Sequence, residues 1–103
     1  MEDLLHLLSV VKKRRQLFIG DDDLMALRHL VTVYCLCLQY HGIDVDDQWR
    51  AFDDFVHNMF AEKRDARSLW TLIMGQSNDT NEAFNVFFDL LQQYCQKNSL
   101  PFE

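Results

Sequence analysis

Two small groupings of residues in this chain have the composition of reactive sites. His57 falls four residues after Asp53 and three after Asp54, a spacing that sets an imidazole beside a carboxylate on one helix. Such a pair can serve as a general base and its orienting partner. No serine or cysteine nucleophile can be placed beside it, and His57 is expected on the exposed part of its helix. His41 follows Cys37 by four residues, so both could reach one metal ion from a helix. Cys35 and Cys37, however, diverge by about 160° around that helix and cannot converge on the ion. The three cysteines, Cys35, Cys37 and Cys95, are therefore expected as small hydrophobes. His6 and His29 are expected as residues in or bordering the core.

The acidic runs invite a calcium reading and do not sustain it. Asp21-Asp22-Asp23 and Asp44-Val45-Asp46-Asp47 lack the alternating oxygen ligands, central glycine and closing glutamate of a calcium loop. Both stand where helices should start, and carboxylates there cap free N–H groups. The three glycines are too scattered for a phosphate-binding loop. The expectation is a chain with no catalytic centre, no cofactor and no metal.

Composition narrows the remaining roles. The net charge is -6, from 16 acidic and 10 basic residues. That balance disfavours nucleic acid, whose binding depends on Lys and Arg neutralising phosphates. It also disfavours anionic membranes and favours basic partners. The one basic run, Lys12-Lys13-Arg14-Arg15, suits the negative end of a helix dipole. An odd cysteine count with no secretion signal points to a reducing, cytoplasmic setting. No apolar run approaches the roughly 18 residues of a membrane span.

With 103 residues, eight phenylalanines and one proline, a single all-α domain over 1–103 is expected, a compact bundle of about five helices. The first, about 2–15, carries Leu4, Leu7, Leu8 and Val11 at helical spacing. An apolar connector over 15–20 leads to the second, about 22–41, which is apolar almost all round and is expected at the centre, surrounded by the others. Its inner face is Leu24, Leu27, Val31, Tyr34, Cys35 and Leu38, and Gly42 should end it. The third, about 47–62, has an inner stripe of Trp49, Phe52, Val56, Met59 and Phe60. A short fourth helix holds Leu69, Trp70, Leu72, Ile73 and Met74. Asp79 or Thr80 caps the fifth, about 81–97, whose broad face is Phe84, Phe87, Phe88, Leu91, Tyr94 and Cys95. Residues 98–103 are expected as a loosely held tail.

In their order, several segments resemble a family of small bacterial proteins with an Arg-Pro-Gly-Met-Tyr-Leu-Gly-like entry. Arg14-Arg15-Gln16-Leu17-Phe18-Ile19-Gly20 stands at the entry, with Arg15-Gln16 in place of Pro-Gly. Phe52-Asp53-Asp54-Phe55-Val56, Ser68-Leu69-Trp70 and the run from Glu82-Ala83-Phe84 to Leu90-Leu91 follow. The resemblance spans about residues 14–94, mostly at core positions. It implies toxin-immunity proteins of interbacterial competition.

The function expected is an immunity protein that binds and neutralises a cognate toxin, a basic nuclease given the chain's acidity. An alternative is a helical adaptor acting as a homodimer through residues such as Val33 and Tyr40. A small enzyme around His57 ranks behind both. The partner-binding surface is expected at the start of the third helix, on Asp44, Asp46, Asp47, Arg50, Asp53 and Asp54. The competing account is a solvated helix face with capping residues.

Overall fold

A computed structural model describes residues 2–14, 24–42, 46–60, 68–100 and 102. The connector at 15–20, the Asp21–Asp23 run, the linker at 43–45 with Asp44, and the segment 61–67 lie outside the described residues. Five helices follow one another: α1 (Glu2–Lys13), α2 (Leu24–Tyr40), α3 (Asp46–Phe60), α4 (Leu69–Gly75) and α5 (Thr80–Lys97). There is no strand among the described residues. The all-α bundle expected from periodicity is the one formed.

Local chemistry sets the helix ends. The Asp79 carboxylate accepts from the Glu82 N–H at 2.8 Å, and the Glu82 carboxylate accepts from the Asn78 N–H at 3.1 Å. The first bond satisfies an N–H that α5 would otherwise leave bare, and the second ties Glu82 back to the residue before the cap. Ser68 caps α4 by accepting from the Thr71 N–H at 3.3 Å. At the far end of α2, Gly42 adopts φ 77 and donates to the Gln39 carbonyl. A side chain would be strained in that left-handed conformation.

The core is built around α5. Ala83, Phe84, Phe87, Phe88, Leu90, Leu91, Tyr94 and Cys95 are all buried, and α5 packs against α2, α3 and α4. Phe87 stacks on Trp70 of α4 at 5.2 Å between ring centroids. It also meets Phe52 of α3 edge-on at 5.7 Å. Such pairs add about 0.5–1.5 kcal/mol each beyond the burial of their area. α1 lays Leu4, Leu5, Leu8 and Val11 on the same core. After α5 the chain turns at Ser99, φ 56, with the Leu100 N–H donating to the Cys95 carbonyl at 2.8 Å. Leu100 and Phe102 then pack back on the core, Phe102 beneath the Lys12 ammonium.

Three details of the expected packing are corrected. Leu24, Leu27, Val31 and Leu38 of α2 are buried as expected, but the helix is not enclosed. Val33 is 64 % exposed, Leu36 57 % and Tyr40 94 %. Its apolar residues occupy more of the circumference than its neighbours cover. In α3, Met59 is half exposed whereas His57 is buried, the reverse of expectation for both. The two residues are about 160° apart around the helix, so one cause accounts for both. The buried arc runs from Phe52 through Val56 to His57, rotated away from Met59. His6 and His29 are exposed, each on the side of its helix away from the buried leucines.

Candidate functional site

His57 is held inward by its own helix. Its Nδ1 lies 2.8 Å from the Asp53 backbone carbonyl and 3.2 Å from a side-chain oxygen of Asp53. A carbonyl oxygen can only accept, so Nδ1 carries the proton and donates. That bond offsets the cost of burying a polar ring. With 1 % of its surface exposed, His57 offers no substrate access from solvent. Asp53, expected in the partner-binding surface, is turned toward the histidine and half buried. The pair orients a buried ring within α3.

The thiols are spread through the bundle. Cys95 is buried, Cys35 half buried and Cys37 exposed, so the expectation of a small hydrophobe fails for Cys37. Position 37 lies past the edge of the buried arc of α2. Burial pushes the Cys95 thiol pKa up, and burial followed by the charge of Cys95 does the same to Tyr94. Among the described residues no three His, Cys, Asp or Glu side chains are grouped to hold a metal ion.

The expected acidic surface is partly placed. Asp46 and Asp47 form the first turn of α3, although their side chains, like the whole of Asp44, fall outside what is described. Arg50 and Asp54 are exposed. α3 carries four carboxylates, Asp46, Asp47, Asp53 and Asp54, against the single guanidinium of Arg50.

Beside this acidic helix lies a groove of about 210 Å³ that periodicity did not reveal. It is lined by Val31, Thr32, Cys35, Leu36 and Gln39 of α2, Trp49 of α3 and Trp70 of α4. The indole rings of Trp49 and Trp70 meet at 5.9 Å. Val31 and Trp70 are buried and Trp49 half buried, while Thr32, Leu36 and Gln39 stand exposed at the rim. Two tryptophans on facing helices were the available signal, since indoles that large seldom bury completely. Such a cleft, apolar with a few polar groups, has the character of a binding pocket.

No family model, curated protein or solved structure matches this chain. Among the described residues, no helix is long and apolar enough to cross a membrane.

Proposed function

We propose that this chain is an immunity protein of bacterial competition, binding a basic protein toxin, of the nuclease kind, and neutralising it. The observation that carries the reading is the groove beside α3. An apolar cleft walled by two tryptophans borders the helix that bears the exposed Asp54 and begins with Asp46 and Asp47, in a chain of net charge -6. Aromatic anchors at the centre of a contact hold most of its energy, and surrounding charge steers the encounter. A basic surface offering one apolar side chain would meet both conditions. The sequence resemblance in the entry segment and the aromatic helices suggests the immunity role, and the chain's acidity suggests a basic toxin.

The test uses the chain with the basic nuclease encoded beside its own gene. Stoichiometric complex formation with loss of nuclease activity is expected. Gln39→Arg at the groove rim should slow association and weaken binding about tenfold, roughly 1.4 kcal/mol. A nuclease that stays fully active against excess wild-type chain overturns the reading.

A further inference from the structure

Among the described residues α1 is the helix with the fewest neighbours. It packs chiefly on α2, whereas α5 is flanked by α2, α3 and α4. Leu4, Leu8 and Val11 of α1 are nevertheless fully buried, so detaching this helix would uncover apolar surface on both sides of the contact. The free energy of a local opening follows the buried contacts that an element must give up. By that measure α1 is the part of the bundle that opens first.

The tail after α5 reaches α1 as well. A left-handed cap closes α5: the Leu100 N–H donates to the Cys95 carbonyl at 2.8 Å, and the Ser99 N–H to the Gln96 carbonyl at 3.4 Å. The position with φ 56 is held by Ser99, where glycine would adopt that conformation without strain. A strained turn persists only where contacts around it outweigh its cost. Beyond the turn, those contacts come from Leu100 and Phe102, both packed on the core. The Phe102 ring stacks on Phe88 of α5, with centroids 6.4 Å apart and planes 12° from parallel. On α1, the Lys12 ammonium stands 5.6 Å from the centre of the same ring. One side chain of the tail therefore touches α5 and the last turn of α1 together.

We infer that the tail is a clasp: Leu100 and Phe102 hold α1 on the bundle, and α1 and the tail open as one unit while α2 to α5 stay packed. The clasp is poised to open, because the strain at Ser99 works against the ring stacking and the cation–π contact that close it. Opening exposes the leucine face of α1 and the surface that this helix covers. The groove between α2, α3 and α4 takes no part, so the clasp stands independently of the toxin-binding reading.

Amide hydrogen exchange of the full chain, resolved by residue and corrected for intrinsic rates, tests this. In the wild type the amides from Leu8 to Val11 should exchange at least about tenfold faster than those from Phe87 to Leu91. The Leu100 amide should open together with α1. Phe102→Ala should speed exchange in α1 about tenfold, the equivalent of one buried ring contact. Lys12→Met, on the other side of the contact, should speed exchange at Leu100 by about two- to fivefold. An unchanged far-ultraviolet circular dichroism spectrum checks that both variants fold. Amides of α1 as well protected as those of α5 overturn the inference, as does an α1 whose exchange is unmoved by Phe102→Ala. A Leu100 amide that exchanges freely while α1 stays closed makes the tail a frayed end and overturns it too.

Discussion

α2 and α5 are close in length and both rich in large apolar side chains, yet they end in opposite situations. Of the 17 residues of α2 four are buried, whereas α5 buries eight of its 18. The difference lies in how each helix distributes its polar residues. α5 sets Asp89, Gln92 and Gln96 opposite its phenylalanines, so its orientation has one solution and its apolar arc is covered completely. α2 has apolar residues on both sides, and its neighbours cover only one. Total apolar content shows that a helix has something to bury. Segregation shows whether all of it will be buried.

The contrast is broken most severely at Phe87. This ring is fully buried between Trp70, Phe52 and Phe88, and Phe87→Ala should cost about 3–5 kcal/mol. Urea denaturation measures it as a lowered midpoint with the slope unchanged. A loss below 1 kcal/mol would remove α5 from the centre of the core.

Within α2 the same chemistry should give two outcomes. Leu27→Ala, on the buried side, should cost about 2–5 kcal/mol. Leu36→Ala, on the open side of the same helix, should fall within about 0.5 kcal/mol. Equal losses at the two sites would mean that the open face is covered in solution, and would erase the difference between the helices.

The cap of α5 gives a smaller effect. Asp79→Ala removes the acceptor for the Glu82 N–H, so about 1 kcal/mol should be lost. Asp79→Asn keeps an acceptor and should recover most of it.

How much of this was legible varies with the physics involved. α5 was readable almost residue by residue, because a segregated helix encodes its own orientation. The five elements followed from the same periodicity, and turn chemistry narrowed the cap of α5 to Asp79 or Thr80, of which Asp79 is the one used. α3 was readable in position but not in rotation. Trp49, Phe52, Val56 and Phe60 leave its angle free by a few tens of degrees, enough to exchange Met59 for His57. The inward turn of Asp53 depends on that exchange and could not be anticipated. The groove depends on how α2, α3 and α4 splay apart, a tertiary property with no local period. The acidic surface was found by counting charges, and counting does not tell which side chains the fold turns inward.

The smallest effects concern the thiols, which sample both regions at once. A maleimide reacts with thiolate, so its rate follows access and ionisation together. Cys37 on the open side of α2 should be modified first. Cys35, half buried in the groove wall, should follow. Cys95, enclosed in α5 with its pKa raised by burial, should wait for unfolding. Cys37→Ala should change stability by less than about 0.5 kcal/mol, whereas Cys95→Ala leaves a gap in the core and should cost more. The same burial sets a pH dependence. Cys95 and Tyr94 both have pKa values raised in the folded chain, so folding holds protons that the unfolded chain releases. Stability is then fully present below the unfolded thiol value and falls as pH rises through about 8.5 to 10. A melting temperature that climbed over that range, or Cys95 modified as fast as Cys37 in the native protein, would place this end of α5 at the surface and undo the contrast with α2.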